Sequence, residues 1–99
     1  MPERWRVSSA GPDSRRSAIR VPELGFGARP LLLVQWLVDR NSEVLAGDRI
    51  AEILVSGILF QVASPETGRL EGIERGDHTL VHAGEIIGWV RREVEAGEP

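Results

Sequence analysis

The apolar residues of this chain occur in short runs, and residues typical of turns separate one run from the next. No segment places apolar residues at the 3.6-residue spacing of an amphipathic helix. The chain has 11 Gly and 6 Pro in 99 residues, which suits a fold with many tight turns. The pattern predicts an all-β domain of seven or eight short strands, arranged as a sandwich or barrel.

One domain of predicted strands and turns occupies residues 17–92. The predicted strands cover residues 17–22, 31–38, 49–55, 58–63, 69–73 and 86–90. Ser56-Gly57 separates two of these runs, and two residues with Gly in the second position predict a tight hairpin. Residues 74–85 are interpreted as mostly loop. Residues 1–16 and 93–99 are polar, and we expect them to be a disordered N-terminal tail and a C-terminal tail.

An internal repeat relates the two halves of the chain. Residues 44–53 (VLAGDRIAEI) match residues 81–90 (VHAGEIIGWV) at a constant offset of 37 residues. Trp36-Leu37 and Gly72-Ile73 fit the same repeat if the register slips by one residue. Two copies of one strand–turn–strand unit, neither of which can bury its apolar face alone, predict pseudo-twofold symmetry.

Five stretches occur in the order found in a known family of small β-domains. They are IRVPELG (19–25), QWLV (35–38), AGD (46–48), Ser64-Pro65 with Gly68, and AGE (83–85). Together they resemble the biotinyl/lipoyl carrier domain family, from about residue 18 to residue 92. The resemblance implies a flattened barrel, or barrel-sandwich hybrid, of two four-stranded antiparallel sheets.

The resemblance also implies a lysine that carries the prosthetic group at the tip of the hairpin between the halves. Counting back from Ser64-Pro65, that position falls on Gly57, flanked by Ser56 and Ile58. All 12 basic residues are Arg, so the chain offers no side-chain amine for biotin or lipoyl attachment. We therefore expect no cofactor and a non-catalytic domain that cannot be biotinylated or lipoylated.

The two strands beside this hairpin are apolar on both faces. In a two-layer domain one face of each strand meets solvent, so part of this apolar surface should be exposed. Leu54, Val55, Ile58 and Leu59 are therefore a candidate patch for a protein partner or for self-association. The alternative is that the N-terminal tail or the loop at residues 23–30 covers them.

Three functional interpretations fit this sequence. The first is a structural or protein-interaction module that uses the bare hairpin tip. The second is an unmodified accessory subunit of an acyltransferase or biotin-dependent carboxylase system. The third is an adaptor-type domain like those of efflux membrane-fusion proteins. Those proteins insert a long helical hairpin between the halves, whereas Ser56-Gly57 joins them directly here.

Residue types and spacing disfavour catalytic and metal-binding chemistry. The chain has no Cys, which excludes disulfides, thiolate catalysis and cysteine-ligated zinc. His78 and His82, with Asp77 and Glu85 nearby, provide few ligands for a metal ion without any Cys. The two histidines are therefore interpreted as surface residues. No nucleophile with a matching base and no paired carboxylates can be assigned, so we predict that the domain is not an enzyme.

Charge and hydropathy bear on partners and location. Residues 17–99 carry eight Arg against 13 acids, a net charge of −5, which disfavours binding to nucleic acid. The longest unbroken apolar run, residues 31–34, is too short to cross a membrane. The first residues contain no apolar stretch of the signal-peptide type, and we expect a cytoplasmic location.

Overall fold

The computed structural model describes residues 15–92, which form eight β-strands arranged in two sheets. The strands are β1 (Arg16–Arg20), β2 (Leu31–Trp36), β3 (Glu43–Val44), β4 (Arg49–Val55), β5 (Ile58–Ala63), β6 (Gly68–Ile73), β7 (Thr79–Val81) and β8 (Ile86–Arg92). The sheet orders are β1-β8-β6-β3 and β5-β4-β2-β7, and every pair of neighbours is antiparallel. This confirms the predicted all-β fold of two four-stranded antiparallel sheets. Between residues 15 and 92 no helix is long and apolar enough to cross a membrane.

The core consists of the inward-facing side chains of both sheets. In β4, burial follows the period of two that a half-exposed strand requires, since Ile53 and Val55 are buried while Leu54 between them is exposed. The largest fully buried side chains come from both halves of the chain: Ile19, Leu33, Ile50, Ile53, Leu70 and Ile87. Each such side chain contributes about 1.5–3 kcal/mol through removal from water, so face-to-face packing of the sheets holds the fold together.

The strand pairings show the pseudo-twofold symmetry residue by residue. In one sheet Leu33 pairs with Ile53, and in the other Leu70 pairs with Val90, each displaced by 37 residues. A β-bulge follows Leu33 in β2 and Leu70 in β6, again at equivalent positions. Each sheet contains two strands from each half, so the two halves are interlocked rather than merely stacked.

The repeat keeps one register through the second strand of each half. Trp36 pairs with Ala51, and the pair displaced by 37 residues is Ile73 with Gly88. The predicted slippage, which matched Trp36 to Gly72, is therefore wrong. A shift of one residue would turn every side chain of the strand to the opposite face, and the packed core excludes that.

The matching turns of the repeat are capped in the same way. Asp48 and Glu85 each accept, through a carboxylate oxygen, the backbone N–H of the residue three positions earlier, at 2.8 and 3.0 Å. Gly47 and Gly84, which directly precede these acids, have φ of +93° and +84°. The Gly–acid pair of the repeat is thus a turn that needs a left-handed residue and a carboxylate cap.

Several strand boundaries differ from the sequence prediction by one or two residues, and two short strands were not predicted. The strand β1 already begins at Arg16, which was predicted as tail, and β8 continues to Arg92. Segments predicted as loops contain β3 and β7, because strands of two and three residues are too short to show a period and form only by pairing with a longer neighbour. Residues 1–14 of the predicted N-terminal tail and the whole predicted C-terminal tail, residues 93–99, lie outside the described residues.

Replacing Gly68 with Ala is expected to lower the free energy of unfolding by about 1–3 kcal/mol, because a Cβ there would overlap the carbonyl oxygen of Arg91 in β8. Gly76 provides the control, since a Cβ at that position meets no heavy atom within 4 Å. Urea denaturation of both variants measures the difference. Equal stabilities of G68A and G76A would contradict the close approach of β6 and β8.

Candidate functional site

The hairpin between β4 and β5 is the direct link between the two halves of the domain. Its two loop residues, Ser56 and Gly57, have φ of +50° and +76°. Positive φ at both loop residues is the turn geometry whose twist matches that of the flanking strands. Val55 pairs with Ile58 to close the turn. Ser56 and Gly57 are exposed, and a Cβ on Gly57 would meet no heavy atom within 4 Å.

A long loop lies beside this hairpin. Ten residues connect β1 to β2, whereas four residues connect the equivalent strands β5 and β6. From this loop Arg29 Nη1 donates a 2.8 Å hydrogen bond to Ser56 Oγ. Phe26 meets the ring of Phe60 edge-on, with 6.3 Å between ring centroids. The extra length of the loop therefore supports one side of the hairpin.

The structure exposes three of the four residues of the predicted patch. Leu54, Ile58 and Leu59 are 36%, 50% and 51% exposed, whereas Val55 is 4% exposed and belongs to the core. The predicted inclusion of Val55 in the patch is therefore wrong, because alternation along β4 turns Val55 to the same inner face as Ile53. The loop that contacts Ser56 leaves the three remaining residues accessible.

Two further exposed or half-exposed leucines extend this surface, and the sequence analysis did not identify them. Leu32 pairs with Leu54 on one side and with Leu80 on the other. Leu32 lies within the run LLLV, where neighbouring leucines hide the alternation, and Leu80 lies in a segment predicted as loop. No local pattern distinguishes them, because their neighbours belong to distant parts of the chain.

The acids considered as metal ligands have structural partners. Asp77 accepts the backbone N–H of Trp36 at 2.9 Å, and Glu85 accepts a 2.6 Å hydrogen bond from Arg75 Nε. His82 is exposed, with Nδ1 at 3.9 Å from Glu85. Within residues 15–92 no three His, Asp or Glu side chains are grouped so that they could hold a metal ion.

A comparison with protein families identifies the scaffold. The family described as "Biotin-requiring enzyme" matches residues 17–90, which include both copies of the repeat and the hairpin between them. This chain belongs to the biotinyl/lipoyl domain family. The match confirms the resemblance seen in the sequence. No curated protein matches the chain.

In this biotinyl/lipoyl domain, Gly57 lies at the tip of the hairpin that joins the two halves, with Ser56 before it and Ile58 after it. The tip thus presents one hydroxyl group, already hydrogen-bonded to Arg29, and a backbone without a side chain. The exposed apolar side chains of Leu54, Ile58 and Leu59 lie close to it in the two strands of the hairpin.

Leu54→Asp and Leu59→Asp are each expected to leave the domain folded, with changes in unfolding free energy below about 1 kcal/mol, because both positions face solvent. Val55→Asp is the matched control and should cost about 3 kcal/mol or more, since it buries an unpaired charge. Thermal unfolding followed by circular dichroism compares the three. Loss of folding by all three variants would place Leu54 and Leu59 in the core.

Glu85→Gln is expected to reduce the sensitivity of the domain to acid. The hydrogen bond from Arg75 holds the pKa of Glu85 below its ordinary value of 4.5, against the opposing effect of burial. The ionised carboxylate therefore stabilises the fold above that value, and the contribution is lost as pH falls through the lowered pKa of the folded state. Because Glu85 and Arg75 are partly exposed, the contribution is about 1 kcal/mol or less.

Urea denaturation at pH 7 and pH 3 measures this effect. The E85Q variant should be less stable than the unsubstituted domain at pH 7, and the difference should be smaller at pH 3, where part or all of the Glu85 carboxylate is protonated. A difference that stays constant between the two pH values would show that the charge of Glu85 does not contribute.

Proposed function

We propose that this biotinyl/lipoyl domain is a non-catalytic protein-interaction module that carries neither biotin nor lipoate. The observation that carries the proposal is Gly57 at the hairpin tip, where the resemblance to the family, counted back from Ser64-Pro65, implies the attachment lysine. The chain contains no lysine elsewhere, so a different alignment supplies no amine either. Biotin and lipoate are attached through amides, and an amide requires such an amine.

The conformation of the tip supports this proposal. Gly57 has φ of +76°, which Gly adopts without cost, whereas a residue with a side chain loses about 1–2 kcal/mol there. The hydroxyl group of the neighbouring Ser56 accepts a hydrogen bond from Arg29, and this contact connects the turn to the loop between β1 and β2. The tip is thus a compact turn without a reactive extension.

The surroundings of the tip supply surface for a macromolecular partner. Leu54, Ile58 and Leu59 are exposed within a few residues of the turn, and clustered apolar residues at a surface are typical of protein contacts. The role of accessory subunit in an acyltransferase or biotin-dependent carboxylase system remains an alternative proposal for the same surface. The two-residue link between β4 and β5 argues against the adaptor arrangement, because no helical hairpin separates these strands.

Intact mass spectrometry of the protein co-expressed with biotin ligase and lipoate ligase tests the proposal. The unsubstituted domain should keep its unmodified mass. The variant S56D/G57K, which introduces the Asp-Lys pair of the family, should gain a biotinyl or lipoyl mass, because no heavy atom obstructs a side chain at position 57 and the positive φ costs only about 1–2 kcal/mol. The variant S56D/G57R is the matched control, with the same charge and no acceptor amine.

The measured masses of the unsubstituted domain and of the two variants distinguish the possible outcomes. A biotinyl or lipoyl mass on the unsubstituted domain would refute the proposal. Modification of S56D/G57K but not of S56D/G57R would show that only the amine is missing from an otherwise competent tip. If S56D/G57K stays unmodified as well, a feature of the tip other than the missing amine also prevents modification by the ligases.

A further inference from the structure

Four leucines form one row across the outer face of the sheet β5-β4-β2-β7. In strand order the row consists of Leu59, Leu54, Leu32 and Leu80, each paired directly with the next. Residues paired across antiparallel strands share a face, so all four point away from the core. Leu80 is 65% exposed, which makes it the most accessible member of the row. We call this set the leucine row.

The pseudo-twofold symmetry provides an internal comparison for this row. The equivalent positions on the other sheet are, in the same strand order, Arg16, Arg91, Arg69 and Glu43. Arg69 pairs with Glu43 at 3.2 Å, and Arg91 pairs with Glu71 at 2.8 Å. The same backbone positions thus accept charged residues on one sheet, so the fold itself does not require leucine on the other.

Opposite charges flank the leucine row. Glu52 lies two residues before Leu54 in β4, and its carboxylate accepts hydrogen bonds from Gln35 at 3.0 Å and Gln61 at 3.4 Å. Ser56 lies two residues after Leu54 and accepts the hydrogen bond from Arg29. Along the strand direction the order is therefore acid, leucine row, cation, with about 7 Å between Glu52 and Leu54.

We propose that this face binds a second copy of the chain, with a twofold axis that runs along the leucine row. Rotation about that axis stacks the row on its own copy and exchanges the two flanks. Arg29 of each protomer then lies over the side occupied by Glu52 of the other. The two Glu52 residues are about 14 Å apart, which exceeds the screening length of about 8 Å at physiological salt.

The size of the row indicates a weak dimer. The exposed leucine surface amounts to roughly 300 Å² per copy, below the roughly 800 Å² per partner of a standard stable interface. The dimer should therefore form reversibly at protein concentrations of roughly 0.1–1 mM. This inference depends on the geometry of the sheet and not on the absence of lysine, so it can fail while the proposed function stands.

Sedimentation equilibrium of the full chain from 0.01 to 1 mM tests the dimer. The variant L54R/L80E introduces the residue types found at the symmetry-related positions, Arg91 and Glu43. It should weaken association roughly 100-fold, because each protomer loses two leucines that the dimer would bury. Leu45→Arg is the control, because Leu45 is 62% exposed and lies outside the leucine row. It should leave association unchanged, and circular dichroism verifies that every variant is folded.

A charge swap tests the orientation of the axis. R29E and E52R should each weaken association, and the double variant R29E/E52R should restore it, because the exchanged charges again face each other across the interface. An unsubstituted chain that stays monomeric up to 1 mM would overturn the proposal. The leucine row would then be a surface for a different protein. A dimer that L54R/L80E does not weaken, or that the charge swap does not restore, would overturn the proposed arrangement.

Discussion

The burial of one sheet against the other is the interaction on which the rest of this structure depends. Each sheet takes two strands from each half of the chain, and the edge strands of a sheet always come from the half that does not supply its centre. Neither half can therefore complete a sheet or cover its apolar face alone. A domain of this size has a small core, and interlocking lets the repeated Val, Leu and Ile positions of both halves form one continuous cluster.

This arrangement constrains the inner face far more than the outer face. Inner positions related by the 37-residue offset are alike, as with Ile53 and Val90, because both must fill the same close-packed interior. Outer positions related by the same offset diverge completely, as with Leu54 and Arg91. Symmetry of the backbone thus preserves the scaffold, while the two outer faces carry different chemistry. The clearest example is the contrast between the leucine row and the equivalent row on the other sheet, which consists of Arg16, Arg91, Arg69 and Glu43.

The hairpin tip is a turn that contacts within the domain hold in place without a lysine. Positive φ at Ser56 and Gly57 satisfies the turn by itself, and Arg29 and Phe26 support it from the long loop between β1 and β2. None of these contacts needs a lysine. The tip therefore remains a well-formed turn in a biotinyl/lipoyl domain whose exposed surface near the hairpin is apolar.

The sequence alone determined the long strands, the repeat and the absence of a lysine side chain, because each is a property of neighbouring residues or of composition. Only the tertiary structure decided that β3 and β7 exist, that Val55 is buried, and that Leu32 and Leu80 join Leu54 in one row. The physical reason is that a strand's period says which residues share a face but not which distant strand lies beside it. Leu32 and Leu80 are 48 positions apart in the chain and meet through antiparallel pairing of β2 with β7.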